Sequence, residues 1–260
     1  LNNHSDGTLT YNDRPNKLFS GKTVVKNGEF KLQFMLPKDI RYNYGGGRIN
    51  YYANDTINGD EAQGQFENFI IGGSGKNVIY ENEGPEIDMY LNSPNFTSGD
   101  KVNEQPLFVA NVQDVSGINM VGSGIGHDIL LIVDEDPAKS YVLNDYFESR
   151  VNDYTSGTVR FKLPEMEDGK HTLTFRVWDL LNNSSSKTVD FEVVKGLQPA
   201  IFSISNFPNP ARMNTKIMVH HDRPETILNT TVEIFDISGR KIWWINQSTA
   251  DNIEWNLTTY

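Results

Sequence analysis

Apolar residues alternate with polar ones at every second position through most of this chain, and the three-and-four spacing of an amphipathic helix is almost absent. That period predicts strands throughout. In 29–34, Phe30, Leu32 and Phe34 share one face, with Glu29, Lys31 and Gln33 on the other. Asn27-Gly28 joins this run to 23–26 and fits a two-residue type I′ turn, because both residues tolerate positive φ. Further strands are predicted at 47–53 and 66–71, and Gly72-Gly73-Ser74-Gly75 reads as a linker.

A second series opens at 84–91 and continues through Leu107–Gln113, 127–134, 157–163, 171–179 and 186–194. Turn residues separate these runs at the spacing of a β-sandwich. Leu173, Phe175 and Val177 fall on one face of their strand, which sends Trp178 to the other with Thr172, Thr174 and Arg176. No cysteine pair flanks that tryptophan, so an antibody-type domain is not indicated. Lys195-Gly196-Leu197-Gln198-Pro199 is a second candidate linker. A third series follows at 201–205, 215–220, 231–236, 240–245 and 253–257, with Phe207-Pro208-Asn209-Pro210 as a stiff turn lacking two ladder donors.

The expected architecture is therefore all-β: tandem immunoglobulin-like or fibronectin-like β-sandwiches. Residues 1–80 would form the first, incomplete at its N-terminal side, 81–195 the second, and 196–260 a truncated third. The non-methionine start suggests a fragment of a longer chain. The 260 residues, 37% hydrophobic and 11% aromatic, suffice for two or three cores. No apolar run approaches the length that crosses a bilayer, and no signal peptide opens the chain. The absence of cysteine excludes thiol nucleophiles, thiolate metal sites and disulfides within these residues. A net charge of −11 disfavours nucleic acid as a partner.

Two sets of residues carry a resemblance. Phe207-Pro208-Asn209-Pro210, the run from Thr231 to Ile242 and Ile253-Glu254-Trp255-Asn256 are similar to the C-terminal domains of Bacteroidetes surface proteins. Those domains adopt a sandwich like that of flagellar hook-capping proteins. The second set begins with Asp114-Val115-Ser116-Gly117, Gly122-Ser123-Gly124-Ile125-Gly126-His127-Asp128 and Tyr141-Val142-Leu143-Asn144-Asp145. It continues through Gly169-Lys170-His171, Val177-Trp178-Asp179 and Asn182-Asn183-Ser184-Ser185. This ordered set resembles the region behind the gingipain-like cysteine peptidase domain of the type IX secretion sortase family. Lys26-Asn27-Gly28-Glu29-Phe30, Pro37-Lys38-Asp39-Ile40 and Gly45-Gly46-Gly47-Arg48-Ile49 agree with it.

The resemblance implies a surface location at the outer membrane. It implies as partners an upstream peptidase domain, translocon components and secreted cargo. The parent would cleave cargo sorting domains and attach cargo to lipopolysaccharide. The family's catalytic Cys and His lie in the peptidase domain, so nothing catalytic carries over to these residues. The chain is expected to act as a non-catalytic accessory region. The alternative is a carbohydrate-binding or adhesin module of another surface protein; a structural stalk with a sorting domain is a third reading.

The candidate sites are modest. The glycine-rich loop 122–128 has no neighbouring basic residue or following helix, so it reads as a bent entry to a strand rather than a phosphate cradle. No catalytic or cofactor-binding residue is assigned. No metal ligand is assigned either: structural calcium is weighed on Asp134-Glu135-Asp136, Asn144-Asp145, Asp153 or the Asp179/Asn182/Asn183 loop, but 134–136 lacks the EF-hand pattern and reads as a polar hairpin tip. His220-His221 would diverge on a strand and lacks a third zinc ligand. Trp243 and Trp244 take opposite faces; the reading favoured is one in the core and one packed at an edge, with a partner surface on the exposed ring as the alternative. Sequons at Asn183 and Asn229 are read as chance, and Asp55-Thr56-Ile57 resembles a Bacteroidetes O-glycosylation motif.

Overall fold

The computed structural model describes residues 17–38, 44–73, 81–122, 126–249 and 253–258. The chain is all-β, as its alternation predicts, with two single-turn 3-10 helices at Pro137–Lys139 and Asn144–Tyr146. The first strands are β1 (Gly45–Gly46), β2 (Ile49–Asn54), β3 (Glu61–Phe66) and β4 (Ile70–Ile71). β2 pairs with β3 and β1 with β4, both antiparallel. The 23–34 hairpin narrows to one bridge, Lys26 to Glu29, around Asn27 and Gly28 with φ of 53° and 80°. The turn chemistry thus acts as expected, but the flanks do not zip into a ladder. Instead the segment lies against the next unit. Asn152 N–H donates to the Lys22 carbonyl at 2.9 Å, and Lys38 N–H to the Leu180 carbonyl at 2.8 Å. The Phe19 ring stacks on Phe34 at 4.4 Å and packs against the main core. The predicted glycine linker at 72–75 lies partly outside the described residues.

That main core is built by the next nine strands: β5 (Glu86–Leu91), β6 (Lys101–Val102), β7 (Leu107–Gln113), β8 (Leu130–Val133), β9 (Ser140–Val142), β10 (Phe147–Ser149), β11 (Ser156–Lys162), β12 (Gly169–Trp178) and β13 (Ser184–Val193). They form a four-stranded sheet, β10-β11-β7-β5, and a five-stranded sheet, β6-β13-β12-β8-β9. All pairings are antiparallel except β6 with β13. Alternation sends Phe108, Ala110 and Val112 of β7 and Leu173, Phe175 and Val177 of β12 into one buried cluster. The Phe108 and Phe175 rings meet across it at 5.3 Å between centroids. Burial of side chains this size contributes about 1.5–3 kcal/mol each. The predicted 127–134 strand begins only at Leu130, since residues 127–129 are drawn into the preceding loop.

The last strands are β14 (Ile201–Phe207), β15 (Asn214–His221), β16 (Leu228–Phe235), β17 (Lys241–Thr249) and β18 (Ile253–Thr258). β14-β15-β18 form one sheet and β16-β17 a separate hairpin. The proline-rich turn falls between β14 and β15, where Thr215 Oγ1 donates to the Pro208 carbonyl at 3.0 Å. The 195–199 linker is held rather than free. Arg223, 4% exposed, donates from Nη2 to the carbonyls of Leu197 at 2.8 Å and Gln198 at 3.2 Å. Its Nη1 reaches Asp222 Oδ2 at 2.5 Å. Nearby, Arg160 of β11 pairs with Glu225 at 2.7 Å, joining the larger sheet pair to the third series.

Candidate functional site

Strand ends bring three carboxylates together. Asp114 follows β7, Asp179 follows β12 and Glu81 precedes β5. Their oxygens lie within 4.8 Å of one another, the one convergence of at least three metal-ligand side chains among the described residues. Asp114 Oδ1 accepts from the Ser116 backbone N–H at 2.8 Å and the Ser116 hydroxyl at 2.6 Å. Fully buried Asp179 accepts at Oδ1 from the N–H groups of Leu181 (2.9 Å) and Asn183 (2.6 Å). Its Oδ2 accepts from Asn183 Nδ2 at 2.7 Å, which also donates to the Glu81 carbonyl at 3.2 Å. Glu81 Oε2 is buried and meets no donor.

Burial pushes the Asp114 carboxyl above the usual carboxylate range, and the Asp179 charge adds to the shift against the Ser116 hydrogen bonds. Burial likewise raises Glu81, reinforced by Asp114 and Asp179. Like charges this close are costly, so the cluster favours a retained proton or a neutralising hard cation. Asp179 spends its oxygens on the turn after β12, which makes it first a structural knot. Glu81 and Asp114 are the members with oxygen capacity to spare.

The other carboxylates weighed for calcium do not converge. Asp134 accepts from the His171 ring at 3.0 Å and from Lys139 at 3.1 Å. Burial works to raise its pKa, but the hydrogen bonds from His171, Thr172 and Lys139 outweigh it and hold it low. Asp136 caps the first 3-10 turn through Ala138 N–H. Asp153 accepts from Thr155 and Ser156, at 2.6 and 2.5 Å between side chains. Asp145 lies 3.8 Å from Lys17. Asp179 is the exception, and its partners Glu81 and Asp114 were invisible to a reading confined to local spacing.

The remaining candidates resolve into local roles. The His127 ring stacks on Trp178 at 4.1 Å, and the loop before it, 123–125, lies outside the described residues. The Trp178 indole N–H is buried without an acceptor. His220 and His221 diverge as alternation requires; His221 Nδ1 accepts from Arg223 N–H at 3.0 Å, and burial lowers its pKa. Asn183 of the first sequon commits its amide to Asp179 and Glu81. Thr56 sits in an exposed turn set by Asp55, whose Oδ1 accepts from Ile57 N–H at 2.8 Å. Trp243 is half-buried on the apolar face of the β16-β17 hairpin, whereas Trp244 is 60% exposed on the other.

These features define an all-β protein of facing sheets, with a buried carboxylate knot and no thiol anywhere in its sequence. In sequence it is 38% identical, over 90% of its length, to dimeric latent PorU from Porphyromonas gingivalis. The chain spans 22% of that protein, and the superposition has a TM-score of 0.48, which adds no structural argument. A Bacteroides ovatus protein of a mixed-linkage glucan utilization locus, SGBP-B, was solved with a mixed-linkage heptasaccharide. It aligns over 94% of this chain and 58% of its own at 10% identity and a TM-score of 0.23, a likeness that carries no argument. No family model matches the chain. No curated protein matches it.

Proposed function

We propose that this chain is a non-catalytic, β-sandwich accessory region of a type IX secretion sortase. The observation that carries the reading is the identity of 38% along 90% of the chain with PorU. On this reading the chain divides at 1–80, 81–195 and 196–260, the middle and last units being immunoglobulin-like. Its work is to carry and position an upstream gingipain-like cysteine peptidase at the outer membrane. Partners are that peptidase domain, translocon components and cargo. The absence of cysteine from all 260 residues supports assigning the bond-breaking chemistry elsewhere. No described helix is long and apolar enough to cross a membrane.

The test is to delete these residues from the parent and follow cargo in the native cell. Loss of surface attachment with intact peptidase folding is the expected result; unimpaired sorting overturns the accessory role. The isolated chain should give no turnover of peptide substrates, and measurable hydrolysis overturns the non-catalytic assignment.

A further inference from the structure

The outer face of the β16-β17 hairpin is chemically graded. Alternation places Asn229, Thr231 and Glu233 of β16 and Trp244, Asn246 and Ser248 of β17 on that face, and the register sets Glu233 opposite Trp244, Thr231 opposite Asn246 and Asn229 opposite Ser248. The opposite face carries Val232, Ile234, Trp243 and Ile245, all half-buried. Trp244 is therefore not the tryptophan that this hairpin uses for packing.

Between residues 229–231 and 246–248 lies an open concavity of about 330 Å³, lined by Asn229, Thr230, Thr231, Asn246, Gln247 and Ser248; Trp244 is not part of its lining, and alternation turns Thr230 and Gln247 to the opposite face. Every residue lining it is an amide or a hydroxyl; none is charged and none is aliphatic. Within it, the Thr231 hydroxyl donates to Asn246 Oδ1 at 2.6 Å and the Ser248 hydroxyl to Asn229 Oδ1 at 2.5 Å. These bonds fix both amide planes by their oxygens, and among the described residues neither Nδ2 meets an acceptor. The hairpin has thus ordered two donor groups in advance of any partner, which lowers the ordering cost of binding. Asn246 sits two residues from Trp244 on the same face, about 7 Å along the strand.

We propose that this strip binds an uncharged saccharide chain, with Trp244 as the stacking platform and the Asn229 and Asn246 amides as donors to sugar hydroxyls. A flat aromatic ring offers its face to the C–H side of a sugar, and a neighbouring row of amides matches alternating hydroxyl donors and acceptors. Anionic ligands fit poorly: the concavity has no cation, Lys241 is already paired with Glu233, and the whole chain is at −11. A lipid tail fits poorly because no lining residue is aliphatic. This assignment does not depend on the accessory role proposed above, and the two fail separately.

The test uses the 260-residue chain and titration calorimetry with maltohexaose, cellohexaose, mannohexaose and xylohexaose. Polygalacturonate and an extended β-forming peptide serve as competing classes, the peptide because neither outer edge of the hairpin pairs with another described strand. At least one neutral hexasaccharide is expected to bind. Trp244→Ala and Asn246→Ala are each expected to weaken it about tenfold or more. Tyr52→Ala, which removes an exposed aromatic from β2, should leave binding unchanged. Asn246→Ala keeps the tryptophan and changes only an exposed polar group, so it remains decisive should Trp244→Ala fold poorly. Absence of binding to all four sugars overturns the proposal. So does binding indifferent to both strip variants, an equal loss in Tyr52→Ala, or binding confined to polygalacturonate or the peptide.

Discussion

Arg223 reaches back 26 residues to hold the carbonyl of Leu197 at 2.8 Å, from a position that leaves its side chain 4% exposed to solvent. A buried guanidinium with one carboxylate and several backbone carbonyls is a clamp on the chain between β13 and β14. It explains why a run that reads as a free linker is ordered here.

Arg223→Ala should therefore cost about 3 kcal/mol, because the carbonyls of Leu197 and Gln198 and the Asp222 carboxylate lose their buried partner. Limited proteolysis should show earlier cleavage within 195–199. Arg160→Ala, at the exposed pair with Glu225, should change stability by less than about 1 kcal/mol. Equal effects from the two substitutions would dismiss the clamp.

The carboxylate knot predicts a pH dependence. Glu81 and Asp114 have folded pKa values raised above their unfolded ones, so between those values the folded state holds more protons. Stability from this site should fall as pH rises from the ordinary carboxylate range, about 4, through the folded values. Glu81→Gln should remove part of that decline and raise the melting temperature at pH 7. A melting temperature that calcium raises in the parent but not in Glu81→Gln would place a cation among these oxygens.

Asp134 predicts the opposite slope. Its folded pKa is lowered, so its contribution is present above the ordinary range and lost as pH falls through the folded value. Asp134→Asn should flatten the acid side of the stability profile and cost about 1 kcal/mol at neutral pH. His171 supports this, with Nδ1 3.0 Å from Asp134 and Nε2 2.9 Å from the Glu167 carbonyl.

Phe175→Ala should cost about 3–5 kcal/mol, since the ring is fully buried against Phe108 and leaves a cavity between the sheets. Chemical denaturation should show the loss as a lower midpoint.

The strong alternators were legible. The strand expected near Leu107–Gln113 coincides with β7, and those expected at 157–163, 171–179 and 186–194 lie within two residues of β11, β12 and β13. β3 was not, because Glu-Ala-Gln-Gly-Gln-Phe sets only Ala62, Gly64 and Phe66 against its polar residues, too weak an apolar face to register, and is exposed at all six positions; its pairing with β2 makes it a strand. β6, β9 and β10 are two or three residues long, too short for a period to register. The knot was half legible. Asp179 stood out with Asn182 and Asn183, but Glu81 and Asp114 reach it only through the crossing of chains between two sheets. Asp114 and Asp179 each accept from a backbone N–H two residues ahead, Ser116 and Leu181, and that local turn is the signal a sequence could have yielded.

The strap formed by residues 17–38 has a mechanical consequence. Its anchors are spread across the neighbouring unit: Lys22 on Glu148, Thr23 on Asn152, and Lys38 on Leu180. A tug on the polypeptide near Lys17 would load these fastenings before it strained any ladder between the large sheets. Whatever tension arrives from that direction is met by a short, renewable set of contacts, and the packed interior behind them is spared.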